Sequence, residues 1–114
     1  MDVFYHHIYE YNKGLRNLVL HTASSSNRRE IEDRLKKEGI PYLVWENGNS
    51  KINVFFGSCV CVEIVNNFGV RSLSDLSNEQ DFMLGIMLGY DRLKQCERYI
   101  IRRGRKTDVE ELIG

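Results

Sequence analysis

The C-terminal segment from 78 to 103 constrains the fold most, because its whole length is patterned as a helix. Ser77 and Gln80 predict a capping box at its start, ahead of the apolar run "DFMLGIML". An unbroken helix over this segment would measure about 39 Å at 1.5 Å per residue. A compact domain of this length has a radius of gyration of about 14 Å, so such a helix would overhang its own core. We therefore expect either a break near Gly85 or Gly89, or packing of the helix end on something outside the monomer.

The side chains of this segment separate into an apolar stripe and a polar stripe on a helical wheel. The apolar stripe descends at steps of three and four residues, through Phe82, Ile86, Gly89 or Tyr90, Leu93, Cys96 and Ile100. The polar side chains that lie opposite or beside it are Asp91, Lys94, Gln95, Arg98 and Arg102. We expect the apolar stripe to be buried, with Cys96 behaving as a small hydrophobic residue.

The first half of the segment is apolar almost all round, which leaves two interpretations open. It is either a central buried helix or one that also forms a subunit contact. Gly85 and Gly89 would let another backbone come close. The residues that we assign to a dimer or partner interface are Met83, Ile86, Met87 and Tyr90.

The spacing of apolar residues predicts helices and strands in the rest of the chain. Strands are predicted at 15–22, 42–45 and 51–56, and helices at 2–13, 28–38 and 59–68. A strand is the alternative for residues 2–13, because Tyr5, His7, Tyr9 and Tyr11 occupy every second position. If the segment is a helix, Asp2 is its predicted N-cap. Asn27 with Glu30 predicts an Asn-led capping box for the second helix.

Residues 59–68, "CVCVEIVNNF", carry two opposed signals. Their β-branched content favours a strand. Their spacing favours a helix with one apolar face, formed by Val60, Cys61, Ile64, Val65 and Phe68. We give periodicity more weight than propensity and predict a helix.

These elements predict a single α+β domain at residues 1–103, followed by a C-terminal tail at 104–114. The domain has a small three-stranded sheet in β-α-β-β-α order, flanked by an N-terminal helix and the long C-terminal helix with its expected break. Its composition, 42% hydrophobic and 28% charged, is typical of a globular protein and argues against disorder. The two edges of such a sheet need covering, and pairing with a second copy would cover them.

Charge and cysteine content narrow the classes of function. Sixteen basic and sixteen acidic residues give a formal net charge of zero, which argues against a nucleic-acid partner. No apolar run approaches the roughly 20 residues that span a bilayer, and "MDVFYHHIYEY" lacks the apolar core of a signal peptide. An odd number of cysteines, three, is typical of a reducing compartment. We expect a soluble cytoplasmic protein without a membrane partner.

Candidate chemistry is sparse in this sequence. In "FFGS", residues 55–58, a glycine and a serine precede a predicted helix N-terminus, whose N–H groups could hold an anion. Together with the aromatic N-terminal segment, this turn supplies the candidate ligand-binding residues: Phe56, Gly57, Ser58, Cys59, Tyr5 and Tyr9. The alternatives are a thiol enzyme using Cys59 with a histidine, and a metal site built from His6, His7, His21 and Glu10. We assign no catalytic residue, metal ligand or cofactor.

The chain as a whole resembles one family. The phrases that carry the resemblance are "FYHHIYEYNKGLRNLVLHT", "GIPYLVW", "NVFFG" and "DFMLGIMLGYDRLKQCERY". They are similar to a bacterial family of small proteins, the domain of unknown function 2023, over about residues 2–100. The resemblance implies a small α+β fold with about five helices, which favours helices at 2–13 and 59–68 and a break within 78–103. The resemblance also implies a homodimer with a flavodoxin-like redox carrier as partner. It does not imply any catalytic activity.

We therefore expect a non-enzymatic, homodimeric accessory or regulatory module that binds another protein. The alternative is a small-molecule or anion sensor, and the third hypothesis is a thiol or metal-dependent enzyme.

Overall fold

A computed structural model describes residues 1–104 of the chain, and within them it has five α-helices and three β-strands. The helices are α1 (Asp2–Asn12), α2 (Arg28–Lys37), α3 (Cys59–Asn66), α4 (Asn78–Met87) and α5 (Arg92–Arg103). The strands are β1 (Leu18–Ser24), β2 (Tyr42–Glu46) and β3 (Lys51–Gly57). The predicted α+β class and element order are confirmed. Apart from Gly104, the predicted tail at 104–114 lies outside the described residues.

Helix α1 is the N-terminal helix that the spacing of apolar residues predicted. Phe4 and Ile8 are buried. The helix ends in a Schellman motif, in which the N–H of Gly14 bonds Tyr11 O and the N–H of Leu15 bonds Glu10 O, both at 3.0 Å. The predicted cap is wrong, because Met1 holds the N-cap position and Asp2 already lies in the first turn.

The sheet has the order β1-β3-β2, and both pairs are antiparallel. The central strand β3 is buried from Ile52 to Gly57 because helices cover both faces of the sheet. Strand β1 begins at Leu18, three residues later than predicted, since the Schellman motif occupies Gly14 and Leu15.

Each face of the sheet has its own hydrophobic core. The first core lies under α1 and α2 and contains Phe4, Ile8, Val19, Ile31, Leu35, Ile40, Ile52, Val54 and Phe56. The second lies under α3 and α4 and contains Leu18, Trp45, Phe55, Val62, Val65, Leu76, Leu84 and Leu88. Alternation of side chains along the strands assigns neighbours such as Phe55 and Phe56 to opposite cores.

Helix α2 buries Ile31 and Leu35, as its apolar stripe predicted. The predicted capping box at Asn27 is wrong. Residues Ser25–Asn27 form a 3₁₀ turn, in which the Ser24 hydroxyl accepts a bond from the N–H of Ser26 at 3.3 Å. Asn27 already has helical backbone angles, so its side chain is not placed to cap.

Helix α3 is confirmed as a helix, but its predicted apolar face is wrong in part. Val65 is buried as predicted, and Cys61 and Phe68 pack against the second core. Val60 is instead 67% exposed, and Val62, outside the predicted face, is buried. The turn before α3 sets this rotation, because the N–H of Ser58 bonds Asn17 O at 2.8 Å and fixes the direction in which the helix leaves β3.

The C-terminal segment breaks at Gly89, one of the two predicted sites. Gly89 has φ +81°, and the N–H of Tyr90 bonds Gly85 O at 3.1 Å. Asp91 then caps α5 by accepting a bond from the N–H of Lys94 at 2.9 Å. The capping box of Ser77 and Gln80 at the start of α4 is confirmed. With this break, α5 folds back along α4.

Candidate functional site

Helix α5 is attached to α4 through its charged side. Arg98 donates from Nε to Asp81 Oδ2 at 2.9 Å and from Nη2 to Oδ1 at 3.1 Å. Arg102 Nη1 lies 2.7 Å from Asp81 Oδ1, and its Nε donates to Asn78 Oδ1 at 3.1 Å. Its bond to Asp81 raises the pKa of the Arg98 guanidinium above its ordinary value.

A second acid in the first turn of α4 adds to this attachment. The Tyr99 hydroxyl donates to Glu79 Oε2 at 2.8 Å, and Arg103 Nη1 lies 3.2 Å from the same oxygen. The bond from Tyr99 holds the pKa of Glu79 below its usual value. Nearer the turn, Gln95 lies directly on Gly85, where an added Cβ would collide with its amide.

The opposite side of α5 faces outward and exposes apolar side chains on either side of Glu97. Leu93 is 69% exposed, Ile101 is 77% exposed, and Cys96 is exposed as well. Ile100 is half-buried, and no residue of α5 is buried within the described chain. We call this surface the outer face of α5 and define it by Leu93, Cys96, Ile100 and Ile101.

This orientation reverses the sequence prediction. The predicted buried stripe included Leu93 and Cys96, whereas the structure exposes both. Side chains that were predicted to face solvent, such as Arg98, lie against α4 instead. The physical reason is the return at Gly89, which brings the arginines alongside two acids of α4 that lie about 20 residues earlier in the chain. We regard the outer face as the first candidate site.

A cleft of about 490 Å³ opens on the inner side of α5, between α4, the 73–76 turn and β1. Its walls are Leu20, Leu73, Ser74, Leu76, Asp81, Leu84, Gly85, Leu88, Tyr90, Gln95, Arg98 and Arg102. We call it the α5 cleft. It combines an apolar floor of leucines with a polar end that contains two guanidinium groups and one carboxylate.

The four predicted interface residues do not lie on the outer face of α5. Met83 is 42% exposed on α4, and Tyr90 is exposed at the turn. Ile86 is half-buried, and Met87 packs against the second core. Ile86, Met87 and Tyr90 share a second cleft beside Leu15, and Met83 is not among its lining residues.

The turn that was predicted to bind an anion uses its polar groups within the fold. Phe56 is fully buried in the first core. Gly57 has φ +145°, and a Cβ there would collide with Asn17 O. The N–H of Ser58 already bonds that same carbonyl at 2.8 Å. A substitution at Gly57 would therefore disturb the backbone and could not isolate the loss of a ligand.

The two predicted aromatic residues lie on α1, apart from that turn. The Tyr5 hydroxyl donates to Glu30 Oε2 at 2.6 Å, which raises the pKa of Tyr5. The ring of Phe4 lies between Tyr5 and Phe56, at centroid distances of 5.6 and 5.8 Å. Tyr9 is exposed and stacks on His6. Cys59 lines a third cleft, with Tyr42, Val62 and others. The assignment of these residues to a ligand stays a prediction.

Two of the three histidines lie together without forming a metal centre. The rings of His7 and His21 are 5.5 Å apart, and His7 Nδ1 lies 3.4 Å from Glu10 Oε1. Burial, and to a smaller extent the charge of His7, lowers the pKa of His21. Within residues 1–104, no three His, Cys, Asp or Glu side chains are arranged to hold a metal ion.

None of the helices in residues 1–104 has the length and apolar character required to cross a membrane.

The chain belongs to the family described as "Protein of unknown function (DUF2023)", whose model matches residues 2–102. No curated protein matches the chain. The matched range contains all the described helices and strands except the last residue of α5.

Proposed function

We propose that this protein is a non-enzymatic interaction module that assembles as a homodimer through the outer face of α5. One observation carries the proposal: α5 is an amphipathic helix that turns its charged side toward its own protein and its apolar side away from it. Leu93 and Ile101 are, at 69% and 77% exposure, the most exposed large hydrophobic residues of the described chain.

Exposing these side chains is unfavourable in a monomer. Complete burial of a leucine or isoleucine side chain contributes about 1.5–3 kcal/mol. Leu93, Ile100 and Ile101 together could supply several kcal/mol to a complex that covers them. In a globular protein the apolar stripe of a surface helix ordinarily packs on the core, so its outward orientation here favours a partner.

A second copy of the chain is the occupant we propose for this face, because the face is self-complementary. In a two-fold arrangement the same patch meets itself, and residue i contacts residue j of the other copy. With two antiparallel α5 helices centred near Glu97, Leu93 of one copy meets Ile101 of the other. Glu97 lies one turn from each of these residues and therefore at the centre of the arrangement, with Lys94 one turn away to offset its charge. The net charge of zero also means that two copies do not repel one another at long range.

Sedimentation equilibrium of matched variants tests this dimer. We expect the wild type to be dimeric, and the variant carrying Leu93→Glu and Ile101→Glu to be monomeric, because two carboxylates per copy would be buried in the interface. Val60→Glu is the control: Val60 is 67% exposed on α3, so it tests a similar change away from α5. It should remain dimeric. Far-UV circular dichroism should be the same for all three proteins.

Two results would overturn the proposal. One is a wild-type protein that stays monomeric at high concentration. The other is a dimer that survives the double substitution. In the second case Met83→Glu tests the interface first assigned from the sequence, since Met83 lies on α4 and not on the outer face of α5.

The partner that we propose for the dimer is a flavodoxin-like redox carrier in the cytoplasm, a hypothesis that comes from the family resemblance. The exposed bases Arg92 and Lys94 of α5 would favour a partner with an acidic surface. Calorimetric titration of the dimer with such a carrier, at tens of micromolar, should give saturable heat that falls as salt is raised. An absence of heat at low salt would rule out this partner while leaving the dimer untouched.

A further inference from the structure

We propose that the α5 cleft binds a small amphipathic carboxylate, a molecule with an acid at one end and an apolar body at the other. This site is on the inner side of α5 and is independent of the dimer proposed above. Its volume of about 490 Å³ lies within the range of small-molecule sites, about 300–1,000 Å³. Such sites combine apolar walls with a few polar groups that fix the orientation of the ligand.

The floor of the cleft is suited to the apolar end. Leu84 and Leu88 reach it from α4 and are almost fully buried. Leu20 reaches it from β1 and is only half-buried. Further leucines, Leu73 and Leu76, come from the turn before α4. An alkyl or aryl group placed here would cover Leu20 and Leu73, the side chains of this floor that the fold leaves partly open.

The polar end of the cleft has an excess of positive charge. Arg98 and Arg102 both line it, and a single carboxylate, Asp81, lies between them. Asp81 engages Nε and Nη2 of Arg98 and Nη1 of Arg102. Each guanidinium has one more terminal nitrogen, so a second carboxylate can bind without displacing the first. The site therefore favours an anion over a neutral or cationic head group.

Three probes with the same alkyl chain isolate the role of the charge. Isothermal titration calorimetry of the full chain is expected to show binding of octanoate, weaker binding of 1-octanol and none of octylammonium. Raising the salt concentration should weaken the binding of octanoate. No binding of octanoate at millimolar concentration overturns the proposal. Equal affinity for 1-octanol, or tighter binding of octylammonium, overturns it too.

Two substitutions with opposite expected effects separate this site from a general loosening of α5. Arg102→Gln should weaken octanoate binding about tenfold, the usual size of a charge-assisted hydrogen bond. Asp81→Asn removes the competing carboxylate and should tighten binding, although it also weakens the attachment of α5. Arg92→Gln removes a base of α5 that does not line the cleft and should change nothing. Weaker binding in both the Arg102 and Asp81 variants would contradict a carboxylate site.

If Asp81→Asn does not fold, Leu20→Phe provides the second variant. The larger ring should fill the apolar end of the cleft and abolish octanoate binding while all arginine pairs remain. Unchanged octanoate binding in this variant would place the ligand elsewhere and overturn the assignment.

Discussion

Helices α2 and α5 have the same kind of sequence and opposite surroundings. Both are short and amphipathic, and both are rich in arginine. Helix α2 buries Ile31 and Leu35 completely, and its charged side chains pair along the helix, as Arg28 does with Glu32. Helix α5 instead turns its arginines toward α4 and leaves its apolar side chains exposed.

This difference teaches that amphipathic spacing identifies two faces of a helix but does not identify the neighbour of either face. Around α2 the apolar face packs on the sheet, and only the border of the charged face reaches it, through Glu32 and Tyr42. Around α5 the neighbouring helix presents two acids, Glu79 and Asp81, in its first turn. Strong pairs with these acids hold the charged face inside, so the apolar face is left for another molecule.

The largest expected difference between the two helices comes from truncating an apolar side chain. Leu35→Ala should lower the free energy of unfolding by about 2–5 kcal/mol, because it leaves a cavity in the first core. Ile101→Ala should change the free energy of unfolding by no more than about 0.5 kcal/mol when the measurements are extrapolated to low protein concentration. Urea denaturation at several protein concentrations measures both. Equal losses in the two variants at low concentration would mean that α5 packs its apolar face within the monomer.

A smaller loss of stability is expected from removing either of two matched tyrosine–glutamate hydrogen bonds, each 2.8 Å long. Tyr42 donates to Glu32 between β2 and α2, where burial, together with that bond, raises the pKa of Tyr42 to about 12. Tyr42→Phe should therefore cost about 1 kcal/mol of unfolding free energy. Tyr99→Phe breaks the more exposed bond to Glu79 and should cost less. Thermal unfolding compares the two variants, and a larger loss in Tyr99→Phe would contradict the ranking.

The smallest expected effect is a weaker attachment of α5 to α4 at acidic pH. The folded pKa of Glu79 lies below its unfolded value of about 4.3. Its contribution is therefore complete above that value and is lost as the pH falls through the lower folded pKa. The pKa values of Glu32 in α2 and of Glu38 at its C-cap are lowered in the same way, but the buried Leu35 holds that helix on the core.

Hydrogen exchange, corrected for intrinsic rates, measures this difference. Between neutral pH and about pH 3.5, the amides of α5 should lose protection before those of α2. Equal loss in both helices would show that the acid pairs of α4 are not what holds α5.

Much of the fold follows from local signals in the sequence. The capping box of Ser77 and Gln80 was predicted directly, because it depends on residues within one turn. The spacing favoured a helix for α1 over the alternative strand, and the break was narrowed to Gly85 or Gly89 without a choice between them. The face that α3 buries was not readable. It depends on the bond between Ser58 and Asn17, which lie 41 positions apart in the sequence. Likewise, no local pattern indicates that Phe56 is fully buried within the predicted ligand turn.

By itself the sequence determined the class of the fold, its three strands and four helical segments, and it named Gly85 and Gly89 as the places where the last segment could break. The number of five helices was implied by the family resemblance, and the caps predicted at Asp2 and Asn27 are wrong. The tertiary structure alone decided which side of α5 faces inward and therefore where both candidate sites lie. That choice depends on Asp81 meeting Arg98, 17 positions later, once the chain has reversed at Gly89. Helix propensity and periodicity are sums over neighbours in sequence, whereas the orientation of a helix is set by whichever surface the fold brings beside it.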